Sequence, residues 1–176
     1  MIELTQKNLQ TQITKLFDKH IKQISYRFTS HQVSDTIILA SQIASHLKKN
    51  DILVLNGILG AGKTVFMSGI AKYFSIEDQV CSPTFTIVNE YQIPDSIKLI
   101  KQTNTNQIFH FDVYRIEDSS DFMDTIGTEY FSNGICIIEW GNIIQDILPK
   151  RTIYIDITKD EFDENIRYFK IWRDEI

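Results

Sequence analysis

The stretch Gly57-Ile-Leu-Gly-Ala-Gly-Lys63-Thr64 limits the folds open to this chain more than any other feature, because it matches GxxxxGK[ST]. The pattern is informative only when a buried strand precedes it and a helix opens from it. Both are expected here. Asp51-Ile-Leu-Val-Leu-Asn56 is a short apolar run between polar residues, which suits a strand covered on both faces. Phe66, Ile70 and Phe74 then recur at helical spacing, predicting a helix over 63–74. Glycines in such a loop let successive backbone N–H groups point inward as an anion-binding nest, and the helix start adds its positive dipole end. Lys63 then supplies a point charge for β- and γ-phosphates, and the Thr64 hydroxyl a ligand for Mg²⁺.

A phosphate loop needs acidic groups near its metal, and in open α/β sheets ligands lie outside the carboxyl ends of the strands. Two more apolar runs end in a carboxylate: Ile108–Phe111 at Asp112, and Ile135–Ile138 at Glu139. If both strands run parallel to 51–56, both acids reach the crevice holding Thr64. Mg²⁺ takes oxygen ligands and keeps several waters, so one acid would bind it and the other complete its shell or orient a water.

Weaker signals read differently. Asp124-Thr-Ile-Gly127 fits DxxG but follows no apolar strand, and NKxD is absent, so it reads as a helix end with a glycine cap. Ser82 and Thr84 fit either turn capping or a loop sensing the γ-phosphate. His110, between Phe109 and Phe111, reads as a packed, hydrogen-bonded histidine. Trp140 fits core or nucleotide-side packing, and Cys81 and Cys136 read as core thiols.

Elsewhere the pattern predicts a helix over 8–24 from Leu9, Ile13, Leu16, Phe17, Ile21 and Ile24, then a strand at 25–29. Ser34 or Asp35 is expected to cap a helix burying Ile38, Leu39, Ile43 and Leu47. A loop over 80–86 enters a strand at 85–92, and 94–106 reads as a hairpin or insertion tip. A helical stretch is expected near 118–131. Residues 152–157 and 166–172 read as an antiparallel pair at the sheet edge. The acidic stretch 116–130 suits a solvated helix face or a docking surface for a basic partner.

Composition removes whole classes. With 176 residues, 43% hydrophobic and 23% charged, the chain suits one globular domain rather than a disordered or low-complexity one. The two cysteines form no CxxC, which argues against a zinc site. There is no apolar run of membrane-spanning length and no apolar leader, so a cytoplasmic protein with no membrane association is expected. A net charge of −5 argues against a whole-surface nucleic-acid binder.

The ordered set of Gly57–Thr64, Ser82–Tyr91, His110–Arg115, Glu139–Trp140 and Leu148–Pro149 resembles the TsaE (YjeE) family over about residues 26–172. These are small bacterial P-loop ATPases of tRNA threonylcarbamoyladenosine synthesis. The resemblance implies an α/β P-loop NTPase fold, with a mainly parallel central sheet flanked by helices and antiparallel edge strands. Residues 1–25 would be an N-terminal helical extension and 26–176 the ATPase domain. It implies ATP and Mg²⁺ as ligands, held by Gly57, Leu59, Gly60, Ala61, Gly62, Lys63, Thr64 and Val65, with Asp112 as the Walker-B-like acid and Glu139 as a second essential acid. Lys63, Asp112 and Glu139 would be catalytic, with Thr64, Asp112 and Glu139 at the metal. Thr84 would sit in a switch-like segment, Thr36 near the base, and Arg167 would match a basic residue of the last strand. The partners implied are proteins of the TsaB/TsaD type, with tRNA reached only through their complex. The family usually has an acidic residue where Ile58 stands, and the loop 94–106 is longer than usual. A small-molecule kinase and a non-hydrolysing nucleotide-binding adaptor remain rival readings. Against the kinase, no arginine lies between 28 and 114 to form a lid over phosphates.

Overall fold

The apolar run after Asp51 becomes β3 (Ile52–Asn56), the strand that feeds the phosphate loop. The computed structural model describes residues 1–18, 20–21, 23–101 and 104–173. Around β3 the described residues form one eight-stranded sheet with β1 (Ile2–Glu3), β2 (Ile24–Ser30), β4 (Val88–Gln92), β5 (Gln107–Asp112), β6 (Ile135–Glu139), β7 (Ile153–Lys159) and β8 (Arg167–Arg173). Its order is β1-β2-β8-β7-β3-β6-β5-β4. The central strands β7, β3, β6 and β5 are mutually parallel, and β4 and β8 pair antiparallel with their neighbours. This is an α/β architecture of the expected kind.

The central strands read as continuous apolar runs because both of their faces are covered. Leu53, Leu55 and Ile137 point into one core with Phe66 and Ile70; Val54, Phe111 and Ile138 point into a second with Phe122. The first core is roofed by α2 (Val33–Ala44) and α3 (Lys63–Tyr73). These helices approach closely at Gly69, where a Cβ would lie 2.6 Å from that of Ala40 and 2.9 Å from the Ile37 carbonyl oxygen. A fully buried phenylalanine such as Phe66 contributes about 1.5–3 kcal/mol by leaving water.

Several boundaries differ from the sequence expectation. The first helix, α1, spans only Leu9–Leu16, not 8–24, and residues 19 and 22 of that range lie outside the described residues. The carbonyls of Asp18 and Ile21 accept from the Arg173 guanidinium, and Ile24 opens β2 opposite Arg173, so the sheet overrides the helical spacing. Leu9, Ile13 and Leu16 still enter the first core, while β1 runs parallel to β2. In α2, Leu39, Ile43 and Leu47 are buried as expected, but Ile38 is exposed. The N-cap is Gln32, and the Asp35 carboxylate instead accepts from the His31 N–H.

The strand expected at 85–92 begins only at Val88, because the Pro83 carbonyl accepts from Thr86 and Ile87 and closes a turn. The expected tip at 94–106 is largely a helix, α4 (Asp95–Lys101), followed by residues 102 and 103 outside the described set. Pro94 supplies the first carbonyl, Asp95 sits in the first turn and lysines in the last, which is the charge order a helix dipole favours. The helix expected over 118–131 divides into α5 (Ser119–Thr125) and a 3-10 turn at Glu129–Ser132. Gly127, at φ +83°, ends α5 as the cap expected of the Asp124–Gly127 pattern. β7 and β8 are the expected antiparallel pair, but they lie inside the sheet, since the alternating strand β2 pairs along the outer side of β8.

Candidate nucleotide site

Asn56 ends β3, and the chain turns through Gly57–Gly62 before α3 opens at Lys63. Gly57 adopts φ +152°, and a Cβ there would lie 2.7 Å from the Ile157 carbonyl oxygen, so only glycine fits beside β7. Gly60 and Gly62 also hold positive φ, at +72° and +111°. Lys63 is buried, 6% exposed, and its ammonium donates to the Gly57 carbonyl at 2.9 Å and the Ile58 carbonyl at 3.4 Å. It also lies 4.6 Å from the Trp140 ring centroid, a cation–π contact, and the Tyr114 ring packs tilted against that indole with centroids 5.2 Å apart. Trp140 therefore packs toward the phosphate loop.

The parallel register brings the two acids together. Asp112 and Glu139 are direct partners across β5 and β6, and Leu55 of β3 is the partner of Glu139. Both carboxylates are buried, at 4% and 3% exposure. Burying a charge is costly unless it is paired and hydrogen-bonded, and each acid has a different solution. Glu139 has the Lys63 ammonium 3.8 Å from Oε2 and the His110 Nε2 3.0 Å from Oε1. The other His110 nitrogen is buried without a partner, so the Nε2–H tautomer fits this environment. Asp112 is held by the loop before β4: the hydroxyls of Thr84 and Ser82 donate to Oδ2 at 2.6 and 3.0 Å, and the Tyr114 N–H donates to Oδ1 at 3.1 Å. Ile87, which links this loop to β4, carries φ +66°, a costly conformation for a β-branched residue. Its carbonyl accepts from the Asp112 N–H at 2.9 Å.

The remaining expected residues divide into a second group. Thr36, Gly60, Gly62, Val65 and Arg167 line one small pocket beside the loop. Thr36 is buried and shares a hydrogen bond with Ser30 at 2.9 Å. Arg167 donates from Nε to the Ala61 carbonyl at 3.0 Å, which ties β8 to the phosphate loop. Ser30, Gln32, Glu164 and Asn165 line the same pocket and had no sequence signal beyond their polarity. Leu59 is 88% exposed at the crest of the loop, and the Thr64 hydroxyl bonds neither carboxylate. The position of His110 against Glu139 was legible only as strand alternation.

The donor chemistry suits a hard cation bound with a polyphosphate. Asp112, Glu139 and Thr64 offer only oxygen, and among the described residues no cluster of three or more His, Cys, Asp or Glu side chains forms a metal site by itself. Two carboxylates and a hydroxyl are too few for a closed protein cage, but fit an ion that keeps waters and phosphate ligands.

A family model described as "Threonylcarbamoyl adenosine biosynthesis protein TsaE" matches residues 30–168. The chain belongs to the TsaE family. Proteins named tRNA threonylcarbamoyladenosine biosynthesis protein TsaE are similar to it. That of Bacillus subtilis is 37% identical over 145 residues, covering 82% of this chain and 83% of the relative. That of Aquifex aeolicus is 36% identical over 141 residues, covering 79% and 90%. The crystal structure of YdiB from Bacillus subtilis superposes with a TM-score of 0.64 at 30% identity, covering 89% of this chain and 88% of YdiB. Within this TsaE chain, the family match begins at the last residue of β2, and so spans the phosphate loop, both acids and Arg167. No described helix is long and apolar enough to cross a membrane.

Proposed function

We propose that this chain is an ATP-binding and ATP-hydrolysing subunit needed for threonylcarbamoyl modification of adenosine in tRNA. It works in the cytoplasm with partner proteins of the TsaB/TsaD type and reaches tRNA only through their complex. The observation that carries the reading is the meeting of Lys63 with Glu139 at 3.8 Å, while Asp112 stands beside Glu139 in register. A phosphate loop, a lysine and two acids on neighbouring parallel strands are the parts phosphoryl transfer requires.

In this reading the loop N–H groups and the Lys63 ammonium bind the β- and γ-phosphates of ATP. Lys63 exchanges its loop carbonyls and Glu139 for phosphate oxygens. Thr36 and Val65 border the end of the site that takes the nucleoside, and Arg167 lies where that end meets the phosphate loop. Asp112, Glu139 and Thr64 would hold Mg²⁺, which supplies positive charge against the departing γ-phosphoryl group. Glu139, fixed through Oε1 by His110, keeps its second oxygen for the attacking water or the metal shell. Ser82 and Thr84 tie the loop before β4 to Asp112, so occupation of Asp112 is felt in that loop. The absence of NKxD supports adenine over guanine.

Phosphate release, measured with and without TsaB/TsaD-type proteins, tests the proposal. The expected outcome is slow release alone, clear stimulation by the partners, and preference for ATP over GTP in competition. Phosphate appearing on a small acceptor would mark a kinase instead, and tight ATP binding without hydrolysis in the full complex would mark an adaptor.

A further inference from the structure

We infer that Lys159 is a second cation of the phosphate loop, facing the nucleotide's polyphosphate together with Arg167. This rests on the nucleotide reading above. Lys159 ends β7, the strand beside β3, and its direct partner across the antiparallel pair is Arg167. Like charges placed opposite each other disfavour strand pairing unless something neutralises them. Among the described residues, no carboxylate forms an ion pair with either cation; the ion pairs there are Lys63–Glu139, His110–Glu139 and Lys98–Asp95. Arg167 spends its donors on the carbonyls of Ala61, Glu164 and Ile166, none of which carries a negative charge. Of the acids in the turn between β7 and β8, Asp160 accepts from the Tyr168 hydroxyl and from the N–H groups of Phe162 and Asp163, and Glu164 lines the pocket with Arg167 without forming an ion pair.

Both cations are directed at one loop. Arg167 bonds the Ala61 carbonyl, and the Lys159 ammonium lies over Gly60, where an added Cβ would come within 2.9 Å of it. Gly60 itself lines the pocket bordered by Thr36, Val65 and Arg167. Two cations with no ion pair among the described residues, set on an anion-binding backbone nest, suit a polyanion, and a nucleoside triphosphate supplies one. Lys63 grips the phosphates from the helix side of the loop, and Lys159 approaches from the strand side. The sequence hid this role because Lys159 lies far beyond the loop in the chain and belongs to no motif.

Calorimetric titration of ATP with magnesium into the full chain tests this, with Lys63→Ala as the reference. Lys159→Met is expected to weaken ATP binding about tenfold and to flatten its dependence on KCl concentration, with circular dichroism unchanged and the melting temperature of the ligand-free protein not lowered. Lys159→Arg is expected to stay within about twofold of the unsubstituted chain. Lys159→Gln provides the neutral variant should the methionine disturb folding. If both neutral variants bind ATP like the unsubstituted chain while Lys63→Ala does not, Lys159 takes no part and the inference is overturned, with the nucleotide reading intact. If Lys63→Ala also binds unchanged, the nucleotide reading falls, and this inference with it.

Discussion

The two halves of the sheet follow different sequence rules and serve the site differently. In the parallel half, β3, β5 and β6 are buried on both faces, and their acidic residues stand at the strand ends, where Asp112 and Glu139 meet. In the antiparallel half, β2 and β8 alternate. Tyr26, Phe28, Phe169 and Ile171 face the core, and Arg27 and Lys170 face outward. A strand covered on both faces can open a carboxylate to a ligand only at its end, and parallel register then collects those ends in one crevice. An alternating strand can place polar groups along its length, so its contribution to the site, Arg167, comes from one edge residue. The parallel half therefore carries the two buried acids of the site, and the antiparallel half supports the loop from the side through Arg167.

The sharpest way to break this contrast is to truncate one side chain in each half. Ile137→Ala removes a fully buried side chain from β6 and is expected to cost about 2–5 kcal/mol in urea denaturation. Arg27→Ala, on the outward face of β2, is expected to stay within about 0.5 kcal/mol. Equal losses would mean that two-sided burial does not distinguish the halves.

A smaller effect separates the parallel core from the loop that holds Asp112. Burial pushes the Cys136 thiol in β6 up to about 12, whereas Cys81, ahead of Ser82, is exposed. A raised value keeps Cys136 protonated at pH 8, with roughly one part in 10⁴ as thiolate, and the thiolate is the reactive form. Labelling at pH 8 with a disulfide reagent is expected to modify Cys81 quickly and Cys136 only on unfolding. Equal labelling rates would show that the central strands open as readily as the loop.

Much of this was legible in the sequence, for reasons tied to each half. Apolar runs ending in Asp112 and Glu139 placed both acids correctly, because nothing but a buried parallel strand accommodates such runs beside a phosphate loop. The short α1 was not legible. Ile21 and Ile24 keep helical spacing, yet Arg173 draws off the carbonyls of Asp18 and Ile21, a contact between distant parts of the chain. Helix α4 was missed because polar composition outweighed the Pro94–Asp95 start signal. The reading of Cys81 as a core thiol fails for a related cause: the residues around Pro83 turn outward before β4 begins. The bond from His110 to Glu139 depends on cross-strand register, which a single strand's alternation does not reveal.

The central claim is that the carboxylate ends of the parallel strands act on the chemistry rather than on nucleotide capture. Single-turnover ATP hydrolysis by Glu139→Ala in the complex with TsaB/TsaD-type partners tests it most directly. A group that stabilises the transition state affects turnover more than ground-state binding. ATP affinity is therefore expected to stay within about tenfold, or ~1.4 kcal/mol, while hydrolysis falls by ~100-fold or more. Hydrolysis at the unsubstituted rate would contradict the account and leave Glu139 as a buried partner of Lys63 and His110 with no part in the reaction.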